Sequence, residues 1–249
     1  MSGHSKWANI KHRKGRQDAA RGRLFAKLAK GIEVAARQGG GEPDFNPTLA
    51  TAVEKAKSAS MPHDSIDRAI KRGTGEMEGA EYEEMWYEGY GPGGVALYVQ
   101  ILTDNRNRAA SDVRSTFTRG GGNLGEPGSV GYLFSQRGLI LARGDEDEVM
   151  LTALEAGAED VRDGGDGSFE VITEAAQVGQ VREGLAAAGI EIESADVTQL
   201  PSSTVPVGES DAKRLLRLID TLEDLDDVQA VYANYDIDDR IMEKVLAEA

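Results

Sequence analysis

The alternation of strand-like and helix-like patterns between residues 138 and 200 restricts the fold more than any other feature. Strand patterns at 139–143, 159–162, 168–173 and 190–199 alternate with helical patterns at 146–156 and 175–188. The order is β-α-β-β-α-β, with a GGDG turn between the middle strands, which is typical of a ferredoxin-like unit. We therefore predict an α/β domain over residues 138–200.

The segments on either side of this unit carry further strand and helix patterns. Before it come strands at 82–90 and 95–103 around a GPGG turn, a helix at 109–117, a glycine-rich loop at 120–129 and a strand at 130–136. After it come helices at 210–225 and 240–247 around a strand at 228–235. We predict that 80–136 and 203–249 form one split α/β domain that contains the inserted unit.

Residues 17–75 show a helical pattern, in which apolar residues recur at three- and four-residue steps. The first predicted helix ends at Gly39, the second follows Asn46 and the third ends at Gly73. Asn46 and Asp64 are expected to cap the second and third helices. The sequence therefore predicts an α+β protein, with an N-terminal helical bundle and two ferredoxin-like α/β domains, one inserted in the other.

Charge is distributed unevenly along the chain. The formal net charge is −15, yet residues 1–75 carry 15 Lys/Arg against 7 Asp/Glu, while residues 76–249 carry 13 against 36. The first thirty residues alone hold nine Lys/Arg, with Asp18 as their single acid. Because residues 1–16 also lack a helical apolar period, we expect a flexible basic tail there. This asymmetry is typical of a polyanion-binding arm on an acidic body.

The composition excludes several classes of site. The chain has no cysteine, which rules out disulfides and thiolate chemistry and favours a cytoplasmic location. No stretch approaches the roughly 18 apolar residues of a membrane span, and no apolar core follows the basic N-terminus as in a secretory signal. The glycine-rich loop lacks the lysine of a P-loop. We expect no enzymatic activity, no catalytic residue, no cofactor, no membrane partner and no small-molecule substrate.

Metal binding is a further alternative that the sequence disfavours. Two of the three histidines lie in the tail, and none has a matching set of ligands. Acidic clusters at 145–148, 223–227 and 236–239 are explained more simply as carboxylates at helix ends and on solvated faces. We therefore expect no metal site.

The basic N-terminal segment contains the residue types that bind nucleic acid. Lysine and arginine neutralise phosphates, and tryptophan offers a flat face for a base. The alternative is a solvated charge run, but the adjoining tryptophan and the acidic remainder of the chain favour phosphate binding. The candidates are Lys6, Trp7, Lys11, His12, Arg13, Lys14, Arg16, Arg21, Arg23 and Lys27.

A second candidate is the sequence TDNRNR at 103–108. Arg106 and Arg108 fall near the start of a predicted helix, where the helix dipole disfavours cations, and this indicates a binding role. Alternatively, Asp104 and Asn105 cap the helix while the arginines pair with nearby acids. The sequence leaves both interpretations open.

Five segments, in order along the chain, resemble the YebC family. They are GHSKWANIKHRKGRQDAARGRLFAKL, MPHDSIDRAIKRGTGE, YEGYGPGGVALYV, LTDNRNR and GGNLGEPGSV. That family includes bacterial probable transcriptional regulatory proteins and a mitochondrial translational activator of cytochrome oxidase synthesis. The resemblance implies three domains, a cytoplasmic location, no enzymatic activity and a regulator that binds nucleic acid. By position it implies nucleic-acid contacts from Lys6, Trp7, Lys11, His12, Arg13, Lys14 and Arg16, with Arg106 and Arg108 as looser candidates.

Three functional hypotheses follow. The first is a DNA-binding transcriptional regulator, although the second helix offers no evident set of side chains for reading base edges. The second is a ribosome-associated translation factor that contacts ribosomal or transfer RNA and relieves stalling at proline-rich stretches, since a tryptophan-bearing arm fits RNA equally well. The third is an oligomeric scaffold in which the acidic α/β domains form the functional surface and the charge of the tail only increases solubility.

Overall fold

The architecture comes from a computed structural model that describes residues 21–165 and 167–247, so the predicted tail over 1–16 lies outside it. The helices are α1 (Arg21–Gly39), α2 (Pro47–Ser58), α3 (His63–Gly73), α4 (Arg106–Arg119), α5 (Glu146–Ala156), α6 (Val178–Ala187), α7 (Glu209–Glu223) and α8 (Asp239–Ala247). The strands are β1 (Glu83–Tyr90), β2 (Ala96–Thr103), β3 (Asn123–Leu124), β4 (Phe134–Arg143), β5 (Asp160–Gly165), β6 (Ser168–Thr173), β7 (Glu191–Pro201), β8 (Val205–Pro206), β9 (Val228–Ala233) and β10 (Tyr235–Asp236). Within these ranges, no helix has both the length and the apolar character that crossing a bilayer requires.

Helices α1, α2 and α3 pack around their own apolar cluster, which includes Ile32, Leu49 and Ile66. Asn46 caps α2 as predicted, because its side-chain oxygen accepts a hydrogen bond from the backbone N–H of Leu49 at 3.1 Å. A Cβ on Gly73 would lie 2.7 Å from that of Ala36, so glycine permits the close approach of α3 to α1.

The predicted cap of α3 is wrong. Pro62 occupies the N-cap position, and Asp64 lies in the first helical turn. The carbonyl of Pro62 accepts hydrogen bonds from the N–H groups of Ser65 and Ile66. Proline's fixed φ suits the entry to a helix, so this helix begins without a side-chain cap, and Asp64 instead favours the positive end of the helix dipole.

The first sheet has the strand order β3-β1-β2-β9, and its neighbouring strands are antiparallel. Strands β1 and β2 form the hairpin predicted around GPGG, where Gly93 has a φ of 77°. Helices α4, α7 and α8 contribute to the apolar cluster on one face of this sheet. Its members include Leu97, Val99, Ile101, Val113, Phe117, Leu215, Leu222 and Met242.

The second sheet has the strand order β5-β6-β4-β7, and α5 and α6 pack against it. Its elements follow the predicted order β-α-β-β-α-β, and the buried side chains of Ile140, Val171 and Leu185 lie in its core. The predicted fold class is confirmed: the chain is an α+β protein with N-terminal helices and antiparallel sheets. The domain boundaries drawn from the sequence stay a prediction.

Residues 120–136 differ from the predicted loop and strand. The glycine-rich loop contains β3, which pairs with β1. Residues 131–133 form a 3-10 turn, so the strand expected at 130–136 begins at Phe134 and belongs to the second sheet instead.

Glu88 explains the irregular backbone at this position. Its Oε1 accepts a hydrogen bond from the N–H of Gly128 at 2.8 Å, and its Oε2 accepts from Val130 and Gly131, each at 2.6 Å. Burial alone would raise the pKa of Glu88, but these backbone bonds outweigh it and lower that pKa. The N–H groups that a longer strand would offer to a neighbour are therefore bound by one carboxylate.

Replacing Glu88 with glutamine should lower the free energy of unfolding by about 1–3 kcal/mol, because an amide cannot accept from all these donors. Urea unfolding at pH 7 measures this. The matched control is Glu84→Gln, an exposed acid on the same strand, which should change stability by less than about 0.5 kcal/mol.

The same comparison should depend on pH. Because the pKa of Glu88 is lowered, its stabilisation is present above the unfolded value of about 4.3 and is lost as the pH falls through the folded value. The stability difference between parent and Glu88→Gln should therefore shrink below about pH 4. A difference that stays constant into acid would contradict this role of the carboxylate.

Candidate nucleic-acid interface

Helix α1 presents a cationic face, which we define as Arg23, Lys27 and Lys30. Their spacing of four and three residues places the three side chains on one side of the helix. This face contacts the acidic turn, defined as residues 223–227, which joins α7 to β9. The contact joins the N-terminal helices to the first sheet.

The outer part of this contact is open to solvent at Arg23 and partly buried at Lys27. Arg23 Nη2 lies 3.1 Å from Asp224 Oδ1, and both side chains are about half exposed. Lys27 Nζ donates a hydrogen bond to the main-chain oxygen of Glu223. Burial lowers the pKa of Lys27, and the neighbouring carboxylates, with Glu223 and Asp224 the strongest, act in the opposite direction.

The inner part of the contact is buried. Lys30 Nζ donates to the main-chain oxygen of Asp226 at 2.9 Å and to Asp227 Oδ1 at 3.0 Å. The side chains of Lys30 and Asp227 are 16% and 8% exposed. This ion pair is therefore shielded from solvent, which distinguishes it from the surface pair of Arg23.

Asp227 is bound by groups from three elements. Arg108 on α4 donates to its Oδ2 from Nη2 at 2.9 Å and from Nε at 3.1 Å, and Thr103 Oγ1 at the end of β2 donates to the same oxygen at 3.0 Å. Lys30 on α1 binds the other carboxylate oxygen. Burial alone would raise the pKa of Asp227, but hydrogen bonds from Arg108, Lys30 and Thr103 outweigh it, so the pKa is lowered.

The sequence TDNRNR forms the start of α4 and sets the position of Arg108. Asn105 is the N-cap, and its side chain accepts a hydrogen bond from the N–H of Arg108 at 3.1 Å. Arg108 Nη2 also lies 2.7 Å from Asp104 Oδ1, while Arg106 pairs with Glu83. Hydrogen bonds from Arg108 to its acids raise its pKa further above the usual value.

The structure thus places the predicted nucleic-acid residues in different environments. Arg23, Lys27, Arg106 and Arg108 contact acidic side chains or main-chain oxygens of this chain. Arg21 is exposed, and its guanidinium lies 5.4 Å from the ring centroid of Phe25. The remaining predicted residues, Lys6, Trp7, Lys11, His12, Arg13, Lys14 and Arg16, lie outside the described residues.

Sequence reasoning missed the role of Asp227. The cluster at 223–227 was expected at a helix end or on a solvated face, yet Asp227 is buried. A signal was present, because Asp227 directly precedes the apolar strand β9 and TDNRNR begins at Thr103, the last residue of β2. Strands β2 and β9 pair with Ile101 opposite Val228, which brings the two segments together.

Two clefts border this interface. One, of about 360 Å³, is lined by residues that include Arg23, Arg108, Asp112 and Asp224. The other, of about 570 Å³, lies between α1 and the segment before β1 and includes Lys30, Glu33, Arg72 and Tyr82. Both clefts are lined by acidic and basic side chains together. Within 21–165 and 167–247, no group of three or more His, Asp and Glu side chains is arranged to hold a metal ion.

Family models match both parts of the chain. Residues 5–76 match the TACO1/YebC protein N-terminal domain, and residues 82–235 match the TACO1/YebC second and third domain. The chain belongs to the TACO1/YebC family. The resemblance stated from the five sequence segments is therefore confirmed.

Relatives in this family carry a regulatory name. The proteins of Acidothermus cellulolyticus, Halothermothrix orenii and Thermobifida fusca are 55%, 53% and 57% identical to this chain, and each is called "Probable transcriptional regulatory protein". The matches cover at least 98% of this chain and 100% of each relative. The crystal structure of a conserved hypothetical protein from Aquifex aeolicus is 48% identical, with a TM-score of 0.78, and the match covers 89% of this chain and 92% of that one.

Replacing Asp227 with asparagine should lower the free energy of unfolding by about 3 kcal/mol, because it leaves Lys30 and Arg108 without their buried carboxylate. Thermal and urea unfolding measure this. The matched control, Asp112→Asn, removes an exposed acid from α4 and should cost less than about 0.5 kcal/mol. Equal losses in the two variants would contradict the special position of Asp227.

Proposed function

We propose that this protein is a non-enzymatic regulator of gene expression that binds nucleic acid through its basic N-terminal segment. The observation that carries the proposal is the excess of nine Lys/Arg over one acid in residues 1–30. Arg23, Lys27 and Lys30 already contact the acidic turn. The phosphate contacts are therefore assigned mainly to the cations that precede α1, with Trp7 as the stacking side chain.

DNA is the first candidate target. The relatives named as probable transcriptional regulatory proteins support DNA as the target. Their designation as regulators also supports a role without catalysis. Such a protein meets DNA in the bacterial cytoplasm, where we place it. Most of its affinity would come from the phosphate backbone, because lysine and arginine on an extended segment neutralise charge without reading sequence.

RNA, in the ribosome or in transfer RNA, is the second candidate target. One observation favours it: α2, the helix that would have to read base edges, is partly engaged with the second sheet unit. Glu54 lies 2.7 Å from Arg182 on α6, and Lys55 lies 3.4 Å from Asp196 on β7. With these two side chains of α2 engaged, recognition of shape and single strands fits the described residues better than reading of a sequence-specific duplex.

The salt dependence of binding tests the assignment to the tail. If about six tail cations contact phosphate, the affinity for duplex DNA should fall with log salt at a slope of roughly −5. Replacing Lys11, Arg13, Lys14 and Arg16 with glutamine should make the slope shallower by about 3–4, since each contact contributes about 0.9. Fluorescence anisotropy at several salt concentrations measures both slopes.

A matched control carries the same charge change on the acidic part of the chain. Replacing Arg162, Arg214, Arg217 and Arg240, all exposed, with glutamine should leave the slope nearly unchanged. A control as impaired as the tail variant, or a flat dependence in the parent, would overturn the proposal. Crosslinking in cells followed by sequencing then separates the targets: discrete promoter fragments support DNA, and ribosomal or transfer RNA supports the second candidate.

A further inference from the structure

The acidic turn presents anionic and carbonyl oxygens to the cationic face of α1 as a nucleic-acid backbone would. Within five residues it offers the carboxylates of Asp224 and Asp227 and the main-chain oxygens of Glu223 and Asp226. Lysine and arginine bind phosphate oxygens with the same donors. A phosphate chain and the acidic turn therefore compete for one set of side chains.

The contact grows more buried from its outer to its inner end. The pair of Arg23 with Asp224 is half exposed on both sides, whereas Lys30 and Asp227 are largely buried. Exposed pairs contribute little to stability and are weakened by salt, whereas breaking a buried pair is costly. A competing polyanion would therefore displace the turn from Arg23 first, then from Lys27, with Lys30 last.

The contact between α1 and the acidic turn joins two parts of the chain that have separate apolar cores. The buried apolar residues of α1–α3 form one cluster, and those of the first sheet form another. The contacts described between α1 and the acidic turn are ion pairs and lysine hydrogen bonds to main-chain oxygens. Such a contact opens without exposing a shared apolar core, so its outer part is suited to exchange one anion for another.

We propose that the acidic turn is a built-in competitor of nucleic acid that occupies the cationic face of α1 until a polyanion displaces it from Arg23 and Lys27. The proposal rests on the proposed function and adds a way in which binding by the same basic segment is regulated. In the free protein the turn raises the threshold for binding, because part of the cationic segment is already neutralised. In the complex, Arg23 and Lys27 extend the phosphate contacts of the residues that precede them.

The test removes the exposed charges of the acidic turn and leaves its buried acid, Asp227, unchanged. Asp224 and Asp226 are exposed, so Asp224→Asn with Asp226→Asn removes two charges and leaves Asp227 in place. The matched control, Glu126→Gln with Glu155→Gln, removes the same charge from exposed positions elsewhere. The full chain is titrated with a duplex DNA of about 30 base pairs and with a single-stranded RNA of similar length.

The turn variant should bind either probe about threefold to fivefold more tightly than the control variant, because the exposed ion pair of Arg23 with Asp224 no longer has to be broken and the attraction of Asp226 for Lys27 is lost. Equal affinities of the two variants would overturn the competitor role while leaving the proposed function intact. If the parent and both variants bind neither probe, the proposed function itself fails.

A distance measurement tests the displacement directly. Because the chain has no cysteine, Gly22→Cys, beside Arg23 at the start of α1, and Arg217→Cys on α7, both at exposed positions, give two unambiguous sites for spin labels. In the parent, saturating DNA or RNA should lengthen and broaden the distance between the labels. An unchanged distance in the fully bound complex would overturn the proposal.

Discussion

The arrangement of the N-terminal helices on the first sheet depends on the carboxylate of Asp227. That single group receives Lys30 from α1, Arg108 from α4 and Thr103 from β2. A carboxylate buried without such donors would cost several kcal/mol. The chain therefore has to supply all three partners at one point, and α1 docks where its lysine completes the set.

This requirement divides the basic N-terminal segment by role. The lysines and arginine on one face of α1 are held by the acidic turn, so part of the positive charge that suggests nucleic-acid binding stabilises the protein itself. The acidic remainder of the chain likewise does more than keep the protein in solution, because residues 223–227 neutralise the end of the basic segment. Two opposite charges far apart in sequence thus meet in one interface.

Features set by neighbouring residues were predictable from the sequence. The alternation over 138–200, the GPGG hairpin and the cap by Asn46 all depend on contacts within a few residues or on a regular apolar period. The alternative interpretation of TDNRNR, with Asn105 as a cap and the arginines paired with acids, also describes the observed geometry.

Features set by long-range polar contacts were not predictable. Arg108 and Asp227 are 119 residues apart, and Glu88 lies 40 residues or more from the backbone groups that it binds. Neighbouring residues alone do not mark either acid as buried, since both occur among exposed acids. For Asp227 the signal is its place directly before β9, and it becomes informative only once β9 is known to pair with β2. The strand expected at 130–136 was misplaced for the same reason.

Residue-resolved labelling of lysines tests the central claim most directly. Reductive methylation of the full chain, with and without bound nucleic acid, reports the accessibility of each lysine by mass spectrometry. The account predicts that binding protects Lys6, Lys11 and Lys14, while Lys30 reacts slowly in both states because Asp227 holds it. Protection of Lys57 and Lys71 with the tail lysines still reactive, or fast labelling of Lys30 in the free protein, would contradict it.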